Sequence, residues 1–160
     1  MLNIRIISVG KIKEKYFENA IKEYTKRLSR YCKLEIIEVK DEPIPEGAGV
    51  KQEKEVIDQE AAYILKYIKP DSYVIALCIE GTMLDSEALS NKLSQLGIQG
   101  SSNIVFIIGG SLGLSERIKK IANLKLSFSK LTFPHQLMRI ILLEQIYRGF
   151  RIMHGEPYHK

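Results

Sequence analysis

The chain has 160 residues, 45% of them hydrophobic, enough for one core that removes about 70% of the unfolded chain's surface from water. Its 24 Lys and Arg against 19 Asp and Glu leave a net charge of +5, which admits a nucleic-acid partner without requiring one. Composition excludes more than it selects. The two cysteines, Cys32 and Cys78, share no spacing with each other or with a histidine, so they read as reduced, buried thiols and neither a disulfide framework nor a metal site. The apolar start Met1–Gly10 is too short for a signal peptide and runs into Lys11, Lys13 and Lys15, and no stretch reaches the length of a membrane span, so a cytoplasmic protein is expected.

Leu2–Val9 has the β-branched richness of a central strand. Lys13–Tyr31 sets Tyr16, Phe17, Ala20, Ile21, Tyr24, Leu28 and Tyr31 at helical spacing, which predicts a helix with that stripe in the core. Leu34–Val39 follows as a second strand, and the Pro- and Gly-bearing stretch Lys40–Val50 as a loop. Lys51–Ile68 is a second amphipathic helix and Tyr73–Ile79 a third strand, which Glu80-Gly81 should end in a loop. Asp85 or Ser86 can cap a helix to about Leu96.

Ile104–Ile108 is a short apolar run stopped by Gly109-Gly110, as a buried parallel strand would be, and a short basic helix follows. Leu124–Phe128 alternates as a strand, the loop Ser129–Phe133 is polar between aromatic rings, and Pro134 opens a last helix to about Met153. Strand and helix thus alternate five times. The expected fold is α/β, with a mainly parallel sheet, helices on both faces, and one domain over residues 1–160. Because Met138 and Ile140–Leu143 make the last helix apolar nearly all round, its second side is expected to meet a second copy of the chain.

Ligands of open α/β sheets sit in a crevice at the carboxyl ends of strands, which points to the Gly109–Gly113 turn and the Phe128–Phe133 loop together. The glycines offer close backbone approach to a nucleoside or a phosphate, but they fit neither a Walker loop nor a dinucleotide fingerprint, and a plain strand-to-helix turn capped by Ser115 explains them equally well. His135 and Arg139 stand one turn apart on the last helix, where they suit an electron-rich substrate, although a capping or core role for His135 is as good a reading. Glu144 and Arg148 form an ordinary helix pair, which leaves Arg151 free for phosphate. The end of the chain, with Tyr158, His159 and Lys160, mixes rings and cations that can stack on bases and hold phosphates, with a solvated tail as the competing reading. The three histidines are dispersed, so no metal is expected. No nucleophile elbow and no kinase motif is present.

The segments Ile-Ile-Ser-Val-Gly-Lys-Ile-Lys-Glu-Lys-Tyr, Phe-Ile-Ile-Gly-Gly-Ser-Leu-Gly-Leu, Leu-Ser-Phe-Ser-Lys-Leu-Thr-Phe-Pro-His-Gln-Leu-Met-Arg, Leu-Leu-Glu-Gln-Ile-Tyr-Arg and the terminal Pro-Tyr-His-Lys resemble the ribosomal RNA large subunit methyltransferase H family, in one register over the whole chain. The resemblance implies a SPOUT-superfamily homodimer with a carboxyl-terminal trefoil knot, which general topology rules would not have suggested. It implies a methyltransferase that uses S-adenosylmethionine, leaves S-adenosylhomocysteine, needs no metal and acts on N3 of a pseudouridine in a 23S rRNA stem-loop of the assembled ribosome. Neither membrane nor DNA is an implied partner. Carried over by position, the cofactor residues are Leu77, Gly109, Phe128, Ser129, Lys130, Leu131, Thr132 and Phe133. Tyr158 and His159 are the candidates for orienting or deprotonating N3, with His135, Arg139, Arg148 and Arg151 for holding RNA. A transfer-RNA methyltransferase and a non-catalytic ribosome-binding factor are the rival readings; a flavodoxin-like nucleotide-binding domain is disfavoured because the glycine turn lies late in the chain.

Overall fold

The computed structural model describes every residue from Met1 to Lys160. Strands and helices alternate as β1 (Leu2–Val9), α1 (Lys15–Leu28), β2 (Cys32–Val39), α2 (Val50–Leu65), β3 (Tyr73–Met83), α3 (Ser86–Ile98), β4 (Asn103–Ile108), α4 (Glu116–Ile121), β5 (Leu124–Ser127) and α5 (His135–Met153). The strands form one sheet in the order β2-β1-β4-β3-β5, and every neighbouring pair is parallel. The apolar runs of β1, β3 and β4 take its centre, where both faces are covered.

Each face buries its own layer. Ile4, Ile6, Ile104 and Phe106 turn toward α1, α3 and α5, meeting Leu28, Leu93, Leu142 and Ile146. Ile7, Val105 and Ile107 turn the other way, toward Ala61 and Ile64 of α2 and Ile118 of α4. Two helices start on side-chain caps: Asp85 accepts the Ala88 N–H at 2.7 Å and Ser115 accepts the Ile118 N–H at 3.2 Å.

Two local expectations are corrected. Tyr16 lies outside the core, 64% exposed in the first turn of α1 with its ring against the edge of Phe17. Strand β3 does not stop at Ile79. It leaves its partner after Leu77 and pairs again at Thr82 and Met83 with Leu126 and Ser127 of β5, so residues 78–81 form an excursion inside the strand. Gly81 makes the return possible, because a Cβ there would stand 2.6 Å from the Lys125 carbonyl oxygen.

Candidate active site at the carboxyl edge of the sheet

In a parallel sheet every strand-to-helix connection opens on the same edge. At that edge the β3 excursion, the Gly109–Leu114 turn and the Phe128–Pro134 connection enclose a cavity of about 580 Å³. The glycine turn closes on itself: Gly110 and Gly113 form an isolated antiparallel bridge, and the Gly113 N–H donates to the Gly110 carbonyl at 3.0 Å. Gly113 has φ of +83°, and a Cβ on Gly109 would lie 2.8 Å from the Gly113 carbonyl, so both positions favour glycine. On the other side, Ser129 Oγ accepts the Leu131 N–H at 2.9 Å, while Ser127 Oγ donates to the Ser129 carbonyl at 3.2 Å. These bonds shape the loop without a regular element.

The residues carried over for cofactor binding converge. Leu77, Gly109, Phe128, Ser129, Leu131, Thr132 and Phe133 all line the cavity, whereas Lys130 is exposed and is not part of its wall. His135 and Met138 complete the wall from α5. Burial, then the Arg139 charge, holds the His135 imidazole below its ordinary pKa, so it is neutral at pH 7.

Arg139 does not join it. Its side chain is 2% exposed, with Nη1 donating to Glu38 Oε2 at 2.5 Å and Nη2 to the Gly10 and Val9 carbonyls at 2.6 and 3.3 Å. The expectation of an RNA contact is therefore corrected: this arginine ties α5 to the end of β1. Arg151 is not free either. The chain turns back at Gly155, whose φ is +65°, and brings Glu156 onto the guanidinium, which also donates to the Tyr31 hydroxyl at 3.2 Å and the Pro157 carbonyl at 3.1 Å.

Spacing alone missed Glu80 and Lys119, the remaining charged side chains of the cavity wall, paired at 2.5 Å. The hydrogen bond from Lys119 holds the Glu80 carboxyl below its ordinary pKa. The charge on the short basic helix was the available signal, but nothing local tied it to a glutamate of β3.

The carboxyl-terminal residues dock on α5. Glu144 accepts from Arg148 Nη2 at 2.6 Å and from the Tyr158 hydroxyl at 3.2 Å. The Arg148 guanidinium lies 4.8 Å from the Tyr158 ring centre, and its Nη1 is 3.2 Å from His159 Nδ1. Burial, then the Glu144 charge, pushes the Tyr158 phenol up to about 12, so it stays protonated and acts as a donor. His159 lines a second cavity of about 540 Å³, and Phe128 and Phe133 line both cavities. The loop is thus a wall shared by the two cavities, with His159 of the tail lining the second. No group of three or more His, Cys, Asp and Glu is gathered to hold a metal, and no helix is long and apolar enough to cross a membrane.

A cavity between late strand-to-helix loops, at the carboxyl edge of a parallel sheet, stands where open α/β folds place small-molecule sites. The SPOUT methyltransferase family model matches residues 2–159, and the chain belongs to that family. It is 59% identical over 159 residues to proteins of Clostridium kluyveri and Clostridium tetani, each named ribosomal RNA large subunit methyltransferase H, covering 99% of this chain and 100% of each relative. Among solved structures it is similar in fold to a probable methyltransferase of Bordetella pertussis (TM-score 0.62, 10% identity, 93% of this chain and 95% of the other). A tRNA (m1G37) methyltransferase of Aquifex aeolicus is also similar (TM-score 0.53, 20% identity, 99% and 75%).

Proposed function

We propose that the protein is an S-adenosylmethionine-dependent methyltransferase of the cytoplasm that methylates N3 of a pseudouridine in a 23S rRNA stem-loop of the assembled ribosome. It works as a homodimer, with its carboxyl-terminal part threaded as the trefoil knot of the family. The observation that carries the reading is the cavity, which gathers the carried-over cofactor residues other than Lys130. Its volume falls in the roughly 300–1,000 Å³ range of small-molecule sites. Apolar walls flank the backbone polar groups of residues 128–133, which suits a purine ring, while Glu80 and Lys119 can meet a hydroxylated or zwitterionic end. The cofactor supplies a methyl carbon made electrophilic by its sulfonium and leaves as S-adenosylhomocysteine.

What the chain must add is alignment and the removal of the N3 proton. An arginine has no acceptor, so the contact from Arg148 makes Nδ1 of a neutral His159 the acceptor and puts its proton on Nε2. That N–H faces Glu87 Oε1 at 3.9 Å. In this arrangement His159 donates to a ring carbonyl beside N3 and stabilises the charge that spreads there as the N3 proton passes to solvent water. It becomes a base only once Arg148 releases Nδ1. Tyr158, kept protonated, becomes a second donor when its hydroxyl leaves Glu144.

The dimer reading has its own support. Leu137, Ile140 and Ile141, at helical spacing on α5, are partly exposed and pack on neither core layer. Such a stripe fits a second copy, which would double the cationic surface offered to RNA.

The test is transfer of labelled methyl from S-adenosylmethionine to assembled ribosomes, free large subunits and bulk transfer RNA, with the product nucleoside identified by mass spectrometry. Label in N3-methylpseudouridine from ribosomes alone is the expected result. Label confined to transfer RNA would overturn the substrate, and cofactor binding without transfer would favour a non-catalytic factor. A chain truncated before Tyr158 should keep cofactor affinity and lose turnover.

A further inference from the structure

We infer that the β1–α1 connection, with Lys11, Lys13, Lys15 and Tyr16, is a second RNA contact that grips unpaired nucleotides flanking the methylated base. The inference rests on the reading that the substrate is RNA. The surface itself is defined by independent observations. Strand β1 lies beside β4, so its carboxyl end places this connection next to the glycine turn on the cavity edge.

The backbone there is pinned. The Gly10 N–H donates to the Val39 carbonyl at 2.8 Å, the Ile12 N–H to Glu38 Oε2 at 2.9 Å and the Lys13 N–H to Gln136 Oε1 at 3.3 Å. Arg139 closes the arrangement through the Gly10 carbonyl and Glu38. A Cβ on Gly10 would stand 3.7 Å from Nε2 of His135, which lines the cavity. The hydrogen bonds that withdraw Arg139 from the surface thus help to pin the backbone that carries three other cations beside the site.

Those cations are available. Lys11, Lys13 and Lys15 are exposed, and none forms an ion pair with a carboxylate. Tyr16 is 64% exposed, and Phe17 braces it edge-on at 4.5 Å between ring centres. Glu14 and Glu18 share the turn and are exposed, which limits the net charge and disfavours a purely electrostatic anion sink. A braced ring among lysines has instead the composition of a stacking platform: the ring takes a base, and the amines follow the backbone. An unstacked base of a stem-loop is the ligand that uses both.

The experiment compares the wild-type protein with the combined Lys11→Ala, Lys13→Ala, Lys15→Ala variant and with Tyr16→Ala. All are assayed for S-adenosylmethionine binding by calorimetry and for methyl transfer to assembled ribosomes at several salt concentrations. The triple variant should bind cofactor as the wild type does, with a raised KM for ribosomes and a salt slope shallower by roughly two, as expected for three contacts to single-stranded backbone. Tyr16→Ala should raise that KM roughly tenfold with little change in salt slope, the size of one lost stacking contact. Unchanged KM and slope in active variants would remove the surface from the interface while leaving the methyltransferase reading intact. Failure of the wild-type protein to methylate ribosomal RNA would remove both.

Discussion

Glu60 and Arg139 are the two charged side chains held almost entirely inside the fold, 6% and 2% exposed. Glu60 Oε2 accepts the Glu42 N–H at 3.0 Å, yet burial raises its pKa, and the nearby Asp41 and Glu42 carboxylates add to the rise. The folded carboxyl therefore holds its proton more tightly than the unfolded one. Between the ordinary and the raised pKa the folded state binds more protons, so stability falls as pH rises through that window. Glu60→Gln keeps an acceptor and removes the titration. Thermal melts from pH 4 to 8 should show a flatter profile for the variant and a higher melting temperature at pH 7; parallel profiles would assign the pH dependence elsewhere. Arg139→Ala strands Glu38 and two backbone carbonyls, and urea unfolding should show a loss of about 3 kcal/mol. An arginine that merely faced RNA would change stability by less than about 0.5 kcal/mol. Helical spacing made His135 and Arg139 neighbours correctly, but it could not turn one toward the cavity and the other inward, because the choice was made by Glu38, 101 residues away.

At the scale of the element, β3 carries the most consequence. Its Glu80-Gly81 pair has the local chemistry of a loop, and locally it is one, but backbone pairing with β5 resumes at the next residue, Thr82. The excursion this creates supplies Cys78, Ile79 and Glu80 to the cavity wall. Gly81→Ala should push β3 from β5 and cost roughly 1–3 kcal/mol, the usual range for forcing an atom into packed structure. Because the same contact shapes the wall, calorimetry should show weaker S-adenosylmethionine binding in the variant even where it remains folded. Unaltered binding would mean that the excursion is not part of the cofactor site. Helix α5 was readable as unusually apolar, and packing divides its apolar residues: Leu142, Leu143 and Ile146 enter the core, while Leu137, Ile140 and Ile141 stay partly exposed.

For the whole molecule, that partly exposed stripe predicts the assembly. Sedimentation equilibrium should give twice the chain mass of 18.3 kDa, and Ile140→Glu should give a monomer by placing a charge in the apolar interface. If methyl transfer needs both subunits, the monomeric variant should bind cofactor and fail on ribosomes; full activity as a monomer would show each chain to be sufficient.

The alternation of β-branched runs with amphipathic stretches was enough to specify five strands, five helices, parallel pairing and helices on both faces, because each is a matter of local periodicity and of the crossover that parallel strands require. The glycine turn and the Phe128–Phe133 loop were likewise legible as two walls of one cavity, since carboxyl ends of parallel strands share an edge. The order β2-β1-β4-β3-β5, the return of β3, the Glu80–Lys119 pair, the burial of Arg139 and the exposure of Tyr16 were decided only in three dimensions. Each depends on which distant partner reaches a side chain first, and periodicity along one segment carries no information about that partner.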